Sequence, residues 1–165
     1  MRLMGLVGAS GSGKTTLITA LLPLLRQSGL RVSTLKHAHH GFDLDRPGKD
    51  SYRHREAGAE EVMVVSGGRW ALMRETPEEE LDLAALARRM TPVDLLLVEG
   101  FKLEAIPKLE IHRPALGKPA LYPHDPGIAA IASDAPLDMP GRPVLPLNGP
   151  VEVAAFICTA ARALA

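Results

Sequence analysis

The chain passes from a short apolar run, Leu3 to Val7, through Gly8-Ala9-Ser10-Gly11-Ser12-Gly13-Lys14-Thr15-Thr16, and then directly into a helical pattern. No other feature constrains the fold as strongly. Gly8, Gly13, Lys14 and Thr15 meet the spacing G-x-x-x-x-G-K-[ST], and the motif lies where a phosphate cradle must lie, between a strand and a helix. Glycines let successive backbone N–H groups turn inward, and the helix N-terminus adds about half a positive charge. Ser10, Gly11, Ser12 and Thr16 belong to the same junction and are candidate phosphate contacts with it. Lys14 is expected to reach the β- and γ-phosphates of a nucleotide. Thr15 is expected to offer its hydroxyl to Mg²⁺, an ion that prefers octahedral oxygen ligands.

The first half alternates apolar runs with helical patterns. That order predicts an α/β protein with a mostly parallel central sheet flanked by helices, the P-loop NTPase fold. A helix from Lys14 to Gln27 carries Leu17, Ile18, Leu21, Leu24 and Leu25 on one stripe and stops at Gly29, with a bend expected at Pro23. Val32 to Lys36 reads as a strand and His37 to Lys49 as a long loop. Asp50 or Ser51 can cap a short helix that ends before Gly58, and Val62–Ser66 with Arg69–Arg74 predicts a β-hairpin near residues 61–75. Thr76-Pro77-Glu78-Glu79 reads as a capping box opening a helix that closes on Arg88 and Arg89.

Val93 to Val98, ending in Glu99-Gly100, reads as a strand buried on both faces, and Lys108 to His112 as a weaker one. Ten of the fourteen prolines lie between Pro107 and Pro150. They exclude long helices there and leave the short strands Gly127–Ala132 and Val144–Leu147 before a final helix near Pro150.

A length of 165 residues predicts one domain spanning 1–165. Hydrophobic residues make up 46% and the formal charges cancel, as expected of a soluble globular body and not of a generally basic nucleic-acid binder. No apolar run approaches the ~20 residues that span a bilayer, and Met1-Arg2 leads into a strand instead of a signal peptide, so a cytoplasmic location is expected without a membrane partner. Cys158, the lone cysteine, is expected to pack in the core.

Glu99, at the C-terminal end of a buried strand, fits a carboxylate that holds a metal directly or through water. It also fits a simple loop cap. Asp43, Asp45 and Asp50 lie where nucleotide proteins place a further such carboxylate. Asp45 joins Thr15 and Glu99 as the candidate metal set, although each of the three aspartates could equally be solvated. No general base is identified.

His37, His39 and His40 could ligate a transition metal, yet they lack the paired cysteines or carboxylates of a closed site. Arg46, Lys49, Arg53, His54 and Arg55 form either an anion grip or a solvated face. Ser133-Asp134 follows a strand at the sheet edge where bases are read. One carboxylate can accept both N1–H and the exocyclic amino group of guanine, so Asp134 favours GTP over ATP unless the pair is only a turn before Pro136.

Taken together, Gly8 to Thr16, Thr34-Leu35-Lys36-His37 through Gly41-Phe42-Asp43, Pro47-Gly48-Lys49-Asp50-Ser51-Tyr52-Arg53, and Leu96-Leu97-Val98-Glu99-Gly100-Phe101-Lys102 resemble one family, the molybdopterin-guanine dinucleotide biosynthesis protein B (MobB) family. The resemblance covers most of the chain. It implies a GTP-binding adaptor using GTP and Mg²⁺, with weak GTPase activity at most, that assists the molybdopterin guanylyltransferase in attaching GMP to molybdopterin. It also implies a homodimer, a metal-side role for Glu99, and a loop from His37 to Arg53 facing the nucleotide or a partner. Other classes consistent with the motif are a metallochaperone GTPase delivering nickel or zinc through the histidines, and a small-molecule kinase of related fold.

Overall fold

The computed structural model describes residues 1–38, 41–76, 82–138 and 141–163. In chain order the elements are β1 (Arg2–Val7), α1 (Lys14–Gln27), β2 (Val32–Lys36), α2 (Asp50–Glu56), β3 (Glu61–Ser66), β4 (Arg69–Arg74), α3 (Leu83–Arg89), β5 (Leu95–Glu99), β6 (Lys108–His112), β7 (Ile128–Ser133), β8 (Val144–Pro146), α4 (Pro150–Ala160) and β9 (Arg162–Ala163). They divide between two compact units, Met1–His37 with Leu83–Ala165, and Ala38–Asp82. None of the helices among the described residues is long and apolar enough to cross a membrane.

The larger unit is built on one sheet of order β2-β5-β1-β6-β7-β8, with the small β9 also paired to β1. Every neighbouring pair along that order is parallel, and only the β1–β9 pair is antiparallel. Parallel strands covered on both faces carry apolar residues on both, and Leu3, Met4, Leu6 and Val7 of β1 and Leu95 to Val98 of β5 are all fully buried. One face packs Met4, Leu6, Leu95 and Leu97 against the α1 stripe Leu17, Ile18, Leu21 and Leu25 and the α4 residues Val153 and Ile157. Half-buried Cys158 packs against the edge of this cluster. The opposite face sets Leu3, Leu96 and Val98 against Leu83 and Ala87 of α3.

Several boundaries depart from the sequence reading, each for a physical reason. α3 runs from Leu83 to Arg89 after a non-helical Asp82, whereas residues 77–81, which hold most of the predicted capping box, lie outside those described. The N-cap of α2 is Lys49 with no side-chain cap bond, so Asp50 serves the helix from its first turn as a negative charge near the positive dipole end. The strand that read as weak, β6, is central, paired by β1 on one side and β7 on the other.

Its polar residues are the reason it read as weak. Lys108 is 3% exposed, and its ammonium donates to the carbonyls of Lys102 (2.8 Å) and Glu104 (2.9 Å) and pairs with Asp125 (2.8 Å). Glu110, 1% exposed, accepts from the backbone N–H groups of Leu121 (2.8 Å) and Tyr122 (2.7 Å). Each buried charge is thus satisfied by the crossover loops it holds against the sheet.

The smaller unit contains the predicted loop, α2 and the hairpin. β3 and β4 pair from Glu61↔Arg74 to Ser66↔Arg69, turning across Gly67-Gly68. Arg55 is its electrostatic centre. The guanidinium reaches Asp43 (2.8 Å), Glu75 (2.7 Å) and Asp45 (3.8 Å), and lies 5.4 Å from the ring centroid of Tyr52. Asp43 first and then Glu75 hold the guanidinium above its ordinary pKa. Asp43 is held below the carboxylate range, chiefly by the Asp45 N–H and then by Arg55.

Candidate functional site

In a parallel sheet all strands end at one edge, and that edge here carries Gly8 after β1, Lys36 of β2, Glu99 of β5, Arg113 after β6 and Ser133-Asp134 at the end of β7. Ligands of open α/β sheets bind outside those carboxyl ends.

Two glycines make the loop after β1 possible. Gly8 has φ +145°, and a β-carbon there would overlap the Ile111 carbonyl oxygen of the neighbouring strand. Gly13, at φ +100°, is the left-handed residue from which α1 starts. Between them the Ser12 N–H donates to the Ala9 carbonyl (3.2 Å), which closes the turn. The side chain of Ser12 is buried, and its hydroxyl has no hydrogen-bond partner among the described residues.

Lys14, first residue of α1, folds back over the loop, and its ammonium donates to the carbonyls of Ala9 (2.8 Å) and Gly8 (3.2 Å). Burial holds its pKa below the ordinary lysine value; Glu99 opposes the shift, while Lys102 and Lys36 add to it. One residue on, Thr15 Oγ1 lies 3.4 Å from Glu99 Oε1, and the Lys36 ammonium lies 3.4 Å from the same oxygen. The edge therefore brings together cations able to meet a polyphosphate and two hard oxygen donors able to meet a divalent cation. Thr15 and Glu99 fit Mg²⁺ in chemistry and in proximity.

Ser133 and Asp134 occupy the same edge. The Ser133 hydroxyl accepts the Ala135 N–H (3.1 Å), an Asx-like turn that settles the backbone at Asp134. Asp134 Oδ2 is held by Arg113 Nη1 at 3.0 Å, and Arg113 Nε donates to the Ser12 carbonyl at 2.9 Å. Arg113 stands at this edge as well, a residue that the sequence did not disclose. Gly13, Thr16, Leu17, Ala20, Arg113, Leu147, Asn148 and Pro150 line an open cleft of about 250 Å³ beside the loop.

The remaining candidates fall in the smaller unit or at its border. Asp45 spends its carboxylate locally: Oδ1 accepts from the Ser51 hydroxyl and the Arg46 N–H (both 2.9 Å), and Oδ2 faces Arg55. Asp50 lies in the first turn of α2. His37 stacks on Phe101 with ring centroids 4.8 Å apart, while His39 and His40 lie outside the described residues. Of the basic segment, Arg55 is committed to its carboxylates, whereas Arg46, Lys49, Arg53 and His54 are exposed. Arg46, Lys49 and His54 border a groove of about 670 Å³ whose other wall is Val62 to Val65.

The family model described as "Molybdopterin guanine dinucleotide synthesis protein B" matches residues 3–134. The chain belongs to the MobB family. It is 50% identical over 141 residues to the molybdopterin-guanine dinucleotide biosynthesis adapter protein of Escherichia coli, covering 83% of this chain and 81% of that protein. It is 45% identical over 156 residues to the protein of the same name in Haemophilus influenzae, covering 94% and 86%. Solved MobB structures share the fold. A crystal structure of molybdopterin-guanine biosynthesis protein B superimposes with a TM-score of 0.75 at 30% identity, covering 95% of this chain and 98% of that one. Bacillus subtilis MobB superimposes at 0.76 with 27% identity, covering 99% and 100%. In this MobB-family chain the matched stretch runs from Leu3 in β1 through Asp134, so it includes the phosphate loop, Glu99 and Arg113.

Proposed function

We propose that this chain binds GTP with Mg²⁺ and serves as an adaptor in molybdenum cofactor biosynthesis, assisting the attachment of GMP to molybdopterin. The observation that carries the nucleotide reading is the convergence of Lys14, Thr15 and Glu99 at one sheet edge beside a glycine-built turn. Family membership and the names of the relatives support the adaptor role.

In this reading the backbone amides of the Gly8–Gly13 loop left free by the Ser12–Ala9 turn, with the start of α1, cradle the α- and β-phosphates. Lys14 exchanges its carbonyl partners for β/γ-phosphate oxygens. Thr15 and Glu99 hold Mg²⁺, which when bound neutralises phosphate charge, and Asp134 accepts the two donors of guanine. Any hydrolysis is weak, in keeping with an adaptor role. The whole chain works as one nucleotide-binding domain, in the cytoplasm and as a homodimer. Its partner is the guanylyltransferase, with molybdopterin at the exposed cations Arg46, Lys49 and His54 and no role for nucleic acid or membrane.

The test is a titration of the purified chain with GTP, ATP and GDP, with and without Mg²⁺, followed by addition of the loaded chain to a guanylyltransferase reaction that forms molybdopterin guanine dinucleotide. Guanine preference with a rise in product supports the reading. Equal affinity for GTP and ATP removes the role of Asp134, and unchanged product yield removes the adaptor role.

A further inference from the structure

β6 ends at His112, and Arg113 follows it. Pro114 disfavours helical backbone at the residue before it, and Arg113 is extended at φ −117°, ψ 104°. It therefore continues the line of β6, where the register His112↔Ser133 makes Arg113 the neighbour of Asp134. From there its side chain spans two subsites. Nε donates to the Ser12 carbonyl inside the phosphate loop (2.9 Å), and Nη1 donates to Asp134 Oδ2 (3.0 Å). The guanidinium also lies against Gly13, where a β-carbon would stand 3.5 Å from Nη2.

A guanidinium is a planar fork with donors at fixed angles, so bonds from two of its nitrogens fix the two acceptors relative to each other. One acceptor here is loop backbone and the other is the carboxylate assigned to the base. A carboxylate has about four lone-pair sites, so the bond to Arg113 leaves Asp134 able to accept both guanine donors.

We propose that Arg113 is the specificity-determining positioning residue of this site, holding the Asp134 carboxylate in register with the phosphate loop so that guanine is read only when its triphosphate is seated. The proposal rests on the reading of Asp134 as the guanine acceptor. It predicts that the arginine matters for the base and little for the phosphates, and that charge alone cannot replace the fork.

The experiment compares wild type, Arg113→Gln, Arg113→Lys, Asp134→Asn and the double variant Arg113→Gln/Asp134→Asn. Binding of GTP, ITP, ATP and inorganic triphosphate is measured in Mg²⁺, with thermal melts as a check on folding. ITP keeps N1–H but lacks the 2-amino group. Wild type is expected to prefer GTP to ITP by about tenfold or more, the worth of one hydrogen bond to a charged group. Arg113→Gln and Arg113→Lys are expected to lose most of that ratio while inorganic triphosphate binding stays close to wild type. The double variant should lose no more than either single change, the sign of a shared interaction.

A GTP/ITP ratio unchanged in a folded Arg113→Gln protein overturns the proposal while leaving the nucleotide reading intact. An equal loss for all four ligands also overturns it, making Arg113 a phosphate contact. If wild type itself binds GTP and ITP alike, the Asp134 reading fails first and the proposal with it. Should Arg113→Gln not fold, Arg113→Lys against Asp134→Asn decides by the same ratio.

Discussion

Thr15 Oγ1 and Glu99 Oε1 lie 3.4 Å apart across 84 residues of sequence. The parallel pairing of β1 with β5 produces this meeting, since Leu6 stands beside Glu99 in register and the loop after β1 returns Thr15 to the same edge. If these oxygens hold Mg²⁺, Thr15→Ala and Glu99→Gln should each weaken Mg²⁺-dependent GTP binding by about 10–100-fold. Binding without Mg²⁺ should change little. Calorimetric titration of GTP at stepped Mg²⁺ reads the difference, and an undiminished Mg²⁺ effect in Glu99→Gln would remove that carboxylate from the metal.

Lys14→Ala removes the cation from the β/γ-phosphate position and should cost roughly 2–5 kcal/mol of GTP binding. The pH dependence carries a sign. Burial holds the free ammonium below the ordinary lysine value, and bound phosphate raises it again, so affinity should be full at neutral pH. It should decline once alkaline pH passes the free protein's lowered pKa. Lys14→Arg keeps the charge throughout that window, so with inorganic triphosphate, which carries no titrating base, its decline should be absent if Lys14 is the titrating group.

Two glycines of the loop should respond differently to alanine. At Gly8 a β-carbon collides with the Ile111 carbonyl, so Gly8→Ala should destabilise the fold by more than about 3 kcal/mol. Gly11 has φ +78° with no atom within 4 Å of the added carbon, so Gly11→Ala should cost only the left-handed conformation, about 1–2 kcal/mol. Urea unfolding of both variants tests the contrast, and equal losses would contradict it.

Lys108→Ala should destabilise by about 3–5 kcal/mol, because it strands Asp125 and two loop carbonyls. Lys108→Met with Asp125→Asn should recover part of the loss by removing the unpaired charge. The same denaturation midpoints decide, and a double variant as unstable as Lys108→Ala would place the cost in packing.

What could be read locally is visible in α1 and β5. α1 was legible because its apolar stripe, its N-terminal glycine and its stop at Gly29 all lie within a few turns of each other. β5 was legible because burial on both faces leaves an unbroken apolar run. β6 was understated because Lys108 and Glu110 look solvated until the loops that satisfy them are in place. Glu99 was legible as a strand-end carboxylate, whereas Arg113 sits among prolines with nothing nearby to mark it.

The phosphate loop is a local object: residue types, spacing and the strand-helix switch determine its conformation within one short stretch, because glycine torsions and a helix terminus are properties of neighbouring residues. Which side chains join it is a different matter. Lys36, Glu99, Arg113 and Asp134 gather at the loop's edge of the sheet only because parallel strand order and register stack their strand ends there, and that order is set by the two-sided burial of the sheet, a summed energy that no single segment carries.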